Sequence, residues 1–161
     1  MTIIVSDTSP LNYLILIDQS DILPALYGRV LIPQAVFTEL NNLETPEKVR
    51  MWIATAPAWI EIARITNAPD AFLTGIDEGE REAITLALEI GADALLIDDG
   101  DGRKKARALG LRVLGTLRVL YDASTLGLCD LEDAFDMLRQ TNFRADEKLY
   151  QHFLELRKKG G

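Results

Sequence analysis

A chain of 161 residues with one cysteine and one histidine is short of the side chains most used in nucleophile and soft-metal chemistry. Cys129 alone closes no internal disulfide and is expected to pack rather than react. With His152 it makes no zinc ligand set. His152 is also the one imidazole available to a Ser–His–Asp relay, and it falls in an amphipathic C-terminal segment that predicts a surface residue. Aromatic residues make up 7% of the chain, and Trp52 and Trp59 are expected in the core or at an interface. No glycine-rich phosphate loop of the P-loop or dinucleotide type occurs. The longest apolar stretch, residues 11–17, is far shorter than a membrane-spanning helix. The N-terminus enters Ile3-Ile4-Val5 with neither a basic lead nor a small-residue cleavage site, so the expectation is a cytoplasmic protein without a leader.

Positive charge is scarce where most of the chain lies. Residues 1–100 carry 5 Lys/Arg against 16 Asp/Glu, residues 101–161 carry 12 against 9, and the whole chain has a net charge of −8. Any basic surface must come mostly from the C-terminal third. Nucleic-acid contact is set by local positive charge, so an acidic total predicts weak non-specific affinity without excluding RNA.

What the chain has is a hydrophobic content of 48% arranged in two alternating periods. Short apolar runs predict strands over residues 2–6, 29–32, 59–62, 94–97 and 112–114. Between and after them, helical spacing and caps predict helices over 8–17, 21–26, 33–41, 45–56, 79–90, 101–109, 115–126, 131–139 and 146–158. Residues 66–78 read as a polar loop. Alternation of strand and helix predicts an α/β fold, one domain over 1–161, with a mainly parallel central sheet and helices on both faces. In such sheets ligands bind outside the carboxyl ends of the strands, which is where Asp7 and Asp98 fall.

Asp7 ends Ile3-Ile4-Val5-Ser6-Asp7, and Asp98 and Asp99 end Leu95-Leu96-Ile97-Asp98-Asp99. Between them the helix beginning Gly79-Glu80-Arg81-Glu82 places Glu80 on the side of Ala83, Ile84, Ala87 and Leu88, at about 100° per residue. Glu82 and Glu89 fall on the opposite, solvent side. A first-turn glutamate answering the helix dipole has no need to face the core. Glu39 lies just outside the inner stripe of Val36, Leu40 and Leu43, where a solvated flank is the simpler explanation. Asp7, or one of Asp98, Asp99 and Asp101, could serve as a helix cap. A calcium loop from Asp99 fails, because Arg103 takes a ligand position and Gly110 the place of the bidentate glutamate. Two carboxylates about 5 Å apart repel by roughly 3 kcal/mol at an effective dielectric near 20. If several converge, a cation must join them, and all-oxygen ligation selects Mg²⁺ or Mn²⁺. The run Arg103-Lys104-Lys105-Ala106-Arg107 is either a solvated helix face or a set of phosphate contacts beside the acids. Arg103, at the edge of the apolar stripe, could instead pair with a nearby acid.

Taken in order, Ser6-Asp7-Thr8-Ser9-Pro10-Leu11, Ile32-Pro33-Gln34-Ala35-Val36-Phe37-Thr38-Glu39-Leu40, Asp77-Glu78-Gly79-Glu80-Arg81-Glu82-Ala83-Ile84, Leu95-Leu96-Ile97-Asp98-Asp99, Gly102-Arg103 and Gly115-Thr116-Leu117 resemble the PIN-domain nucleases, in particular VapC-like toxin relatives. The resemblance covers roughly residues 2–120. It implies an acid-only site for Mg²⁺ or Mn²⁺ and cleavage of RNA to 5′-phosphate and 3′-hydroxyl ends. By motif position it implies Asp7, Glu39, Glu80 and Asp98 as catalytic metal ligands, Asp99 or Asp101 as a further acid, and Ser9 as a hydroxyl supporting the first acid. Arg103, Lys104 and Arg107 are the expected substrate contacts. The resemblance also implies a small antitoxin protein as partner and a homodimer. The alternative is a PIN-fold protein with a weak or inactive site, acting as a binding module.

Overall fold

The structure, a computed structural model, describes residues 2–160. Met1 and Gly161, the two ends of the expected 1–161 unit, lie outside the described residues. Five strands form one sheet: β1 (Ile3–Ser6), β2 (Arg29–Pro33), β3 (Ile60–Ala63), β4 (Ala94–Leu96) and β5 (Val113–Leu114), in the order β3-β2-β1-β4-β5. Every pairing is parallel, with Val5 beside Leu31 on one side and Leu95 on the other. Among the described residues nine helices surround the sheet: α1 (Thr8–Leu16), α2 (Ile22–Tyr27), α3 (Gln34–Leu40), α4 (Glu47–Ala54), α5 (Glu78–Ile90), α6 (Gly100–Ala108), α7 (Thr116–Thr125), α8 (Leu131–Arg139) and α9 (Glu147–Lys159). None is long and apolar enough to cross a membrane.

The strands read as continuous apolar runs because both faces are buried. Ile4, Val30, Ile32, Ala94, Leu96 and Leu114 point into one core, shared with α1, α3, α4, α7 and α8. Their neighbours Val5, Leu31, Leu95, Ile97 and Val113 point into the other, against α5 and Ala106 of α6. The order of strands reverses at β1: the chain runs outward through β2 and β3, returns along α5, and continues through β4 and β5. The gap between the carboxyl ends of β1 and β4 is therefore a topological switch point, the place where such sheets open a crevice.

Most boundaries agree with the sequence to within about two residues. The expected loop 66–78 contains a short 3-10 turn, Ala71–Leu73, capped by Asp70, and α5 begins one residue early. Leu43, expected in the inner stripe of α3, lies beyond that helix and is 86% exposed. Leu88, expected on the buried side of α5, is exposed, while Thr85 and Leu86 are buried. The cause is a core that wraps further round α5 than a single stripe. Trp52 and Trp59 pack on each other, 5.6 Å between ring centroids, at the edge of the first core. Cys129 donates its thiol to the Leu120 carbonyl, and His152 is exposed beside Phe153.

Candidate active site

A cleft of about 830 Å³ opens at the switch point, and acids line it: Asp7, Glu39, Asp77, Glu80, Asp98 and Asp99 among them. Each arrives on a different piece of the frame. Asp7 follows β1 and stands at the start of α1, but its carboxylate makes no capping hydrogen bond there. Its backbone N–H donates to the Leu96 carbonyl of β4, 2.9 Å, so the two strand ends are joined directly beneath the cleft. Glu39, near the end of α3, accepts from Thr8 Oγ1 at 2.8 Å. Glu80, in the first turn of α5, is buried, and its Oε2 has no hydrogen-bond partner. Asp98 accepts from Thr116 N and Thr116 Oγ1 at 2.8 and 2.7 Å and from Ser9 Oγ at 3.0 Å. Three donors leave this carboxylate little freedom to move.

Burial and mutual repulsion set the charge of these groups. Burial first, then the carboxylates of Asp77, Glu39 and Asp98, pushes Asp7 up to about 8, although the Thr8 N–H opposes it. Glu80 is raised by burial, by its contact with Asp77 and by the charges of Asp77, Asp7 and Asp99. Glu39 is raised by burial and Asp77, against the Thr8 hydrogen bond. Asp98 is also raised by burial, with Thr116, Ser9 and Arg103 pulling the other way. The site therefore holds protons that a cation would replace.

The donor set fits a hard divalent cation. All of its atoms are oxygens, and Glu80 Oε2 is a buried acceptor with nothing to accept. Gly79 leaves open a point that a Cβ would occupy, 2.9 Å from Glu39 Oε2 and 3.5 Å from both Asp7 Oδ1 and Asp77 Oδ1. Metal–oxygen distances are about 2.0–2.6 Å, so these oxygens must draw in to ligate. Consistently, no three His, Cys, Asp or Glu side chains among the described residues are gathered tightly enough to hold an ion as they stand.

The structure brings together Asp7, Glu39, Glu80, Asp98, Asp99 and Ser9, keeps Arg103 beside Asp98, and places Asp101, Lys104 and Arg107 outside the lining of the acid cleft. Asp99 caps α6 through Gly102 N, 3.0 Å, and lines the cleft. Asp101 is exposed and lines another hollow, with Phe72 and Lys104. Ser9 serves Asp98, not Asp7. Arg103 turns inward and donates to the Ile97 carbonyl at 2.9 Å, and a Cβ on Gly115 would strike both its Nη1 and Asp98 Oδ1. Lys104 and Arg107 are exposed and line no part of the acid cleft. Glu82 does not simply face solvent: it accepts from Ala35 N at 3.0 Å and holds the start of α3. Glu89 accepts from Thr66 N and Asn67 N and anchors the loop after β3.

Three charged cleft residues escape sequence reasoning: Asp77, Arg144 and Glu44, which follows α3. Asp77 caps α5, accepting from Glu80 N at 2.8 Å. The spacing Asp77-x-x-Glu80 is a readable capping signature. Arg144, between α8 and α9, lines the cleft from a segment with no periodic signal.

Comparison with known proteins agrees with the fold. No functionally curated protein matches the chain in sequence. Among solved structures it is similar to a PilT N-terminus domain protein, SSO1118, from the hyperthermophilic archaeon Sulfolobus solfataricus P2. The identity is 14% and the TM-score 0.50, covering 91% of this chain and all of that one. It is also similar to the PIN domain endonuclease Utp24, at 14% identity and a TM-score of 0.53, covering 70% of this chain and 84% of that one. At such identities the likeness speaks for the fold. The sequence itself matches the family model DUF3368, a PIN domain, over residues 3–159. With that match spanning the strands, the acid cleft and the C-terminal helices alike, this chain belongs to the PIN-domain family.

Proposed function

We propose that the protein is a metal-dependent endoribonuclease, hydrolysing RNA phosphodiesters in the acid cleft. The observation that carries this is Glu80 Oε2, a buried and unpartnered carboxylate oxygen among other carboxylates at the switch point. Asp7, Glu39 and Glu80 would hold Mg²⁺ or Mn²⁺, with Asp98 and Asp99 beside them. A cation there lowers the pKa of water and neutralises charge developing on phosphate oxygens. The chain's own residues do the rest. Ser9 and Thr116 fix Asp98 in one orientation, and Thr8 does the same for Glu39. Without a cation, Asp7 keeps a proton on its carboxyl near neutral pH, which limits the repulsion the fold must bear. The likeness to an endonuclease of the same fold supports nuclease chemistry, and the resemblance to VapC-like toxins supports RNA as substrate. The resemblance also supports a small antitoxin partner and a homodimer, which coexpression with a neighbouring small reading frame and sedimentation would test.

The direct assay incubates purified protein with RNA in Mn²⁺ and in EDTA, beside Asp7→Asn. Cleavage in Mn²⁺ alone, lost in Asp7→Asn, is the expected result. Cleavage that survives EDTA or the substitution would assign it to something other than this cleft.

A further inference from the structure

The acid cleft borders a smaller cavity of about 220 Å³, which shares Asp98, Phe143 and Arg144 with it. Arg103, Arg118 and Arg144 stand around this cavity, and Leu117, Phe143 and Phe153 supply much of its apolar wall. Arg144 is the one cation among the described residues that line the acid cleft itself. The three arginines differ in what they already hold. Arg103 is tied to the Ile97 carbonyl, and Arg118 pairs with Asp122 at 2.9 Å. Arg144 is exposed and makes no ion pair among the described residues. Its segment is nonetheless fixed in place. Tyr13 of α1 donates to Asn142 Oδ1 at 2.8 Å, and the Tyr13 ring meets Phe143 edge-on at 4.9 Å. The helix that begins beside Asp7 thus also positions Arg144.

We propose that this flank binds the nucleotide next to the cut. Arg144 takes the adjoining phosphate, and the apolar cavity takes that nucleotide's base. The inference rests on the endoribonuclease reading of the cleft. A guanidinium fork matches phosphate oxygens two at a time, and aromatic faces stack on any base. The cavity is smaller than the roughly 300 Å³ at which drug-sized ligand sites begin, which suits a single ring system. A base can enter it only from an unpaired strand or after being turned out of a duplex. The site therefore selects an unpaired strand over a duplex.

Fluorescence anisotropy of a short labelled single-stranded RNA, with the full chain in EDTA, tests this. Arg144→Ala should weaken binding by about tenfold and lower the salt slope by about 0.7 for the lost phosphate. Lys104→Ala with Arg107→Ala should leave binding unchanged. A duplex of the same sequence, and a single strand with abasic nucleotides, should bind more weakly. An Arg144→Ala protein that binds like the parent, or an abasic strand bound as tightly as the normal one, would overturn the proposal. Cleavage in Mn²⁺, measured in parallel, keeps the two claims apart. Cleavage with binding indifferent to Arg144 removes the subsite and leaves the nuclease. Binding that depends on Arg144 and on bases, without cleavage, removes the nuclease and leaves the subsite.

Discussion

Asp7 carries a clear pH signature, as does Glu80, which rises from 4.5 to about 9. The Asp7 carboxyl rises from an ordinary 3.8 to about 8 in the fold. Between those values the folded protein holds a proton that the unfolded chain has lost, so stability falls as pH rises. The contribution is complete below about pH 4 and is lost as pH passes about 8. Melting curves in EDTA from about pH 5 to pH 9 should show this decline, and Asp7→Asn should reduce its slope, with the raised Glu80 carrying the rest. At neutral pH that substitution should gain about 1 kcal/mol, or about 2–4 °C in Tm for a chain of this size. A variant less stable than the parent would contradict the picture of crowded acids. The two glutamates of α5 separate as sharply. Glu80→Gln should abolish cleavage, while Glu82→Ala should cost about 1 kcal/mol, as a lost helix-start acceptor does, and leave cleavage in place. The inward facing of Glu80 was legible because α5 repeats its small and apolar residues regularly. The partner of Glu82 was not, because the N–H it accepts belongs to Ala35, 47 residues away.

At the scale of elements, the strand ends and helix starts were the legible part. Apolar runs closed by acids marked β1 and β4, and hydroxyl, proline and glycine signals marked most helices. The azimuth of a helix about the sheet was harder to see. The basic run on α6 reads as one polar face, but the packing of Ala106 against the second core sets which way that face turns, and Lys104 and Arg107 are exposed outside the lining of the acid cleft. Two glycines test how tightly α5 and α6 close on the cleft. A Cβ on Gly102 would come 2.5 Å from Glu80 Oε2 and 2.8 Å from Ile97 Cδ1. Gly102→Ala should therefore destabilise by about 1–3 kcal/mol, visible in denaturant midpoints. Gly79→Ala places its methyl between Glu39, Asp7 and Asp77. It should remove most of the stabilisation that Mn²⁺ gives the parent. An unchanged metal response would mean that the ion binds away from that point.

Across the whole molecule the charge is segregated. The N-terminal hundred residues supply all the acids that line the cleft, and the C-terminal third supplies Arg144 at its rim. The imbalance was legible in the counts, but the meeting of the two across the switch point depends on Tyr13 gripping the segment before α9. No sequence period encodes such a contact. With an ion in place the balance of the acid cluster changes, since a cation present at a hundredfold excess over its dissociation constant stabilises the fold by about 2.7 kcal/mol. Protons must leave Asp7 and its neighbours as it enters. The most direct measurement is titration calorimetry of the protein with Mn²⁺ near pH 7, in buffers of different ionisation enthalpy. The account predicts saturable binding with release of about one to two protons per ion, from Asp7 and Glu80, reduced in Asp7→Asn. No binding, or binding that releases no proton from the parent, would contradict it.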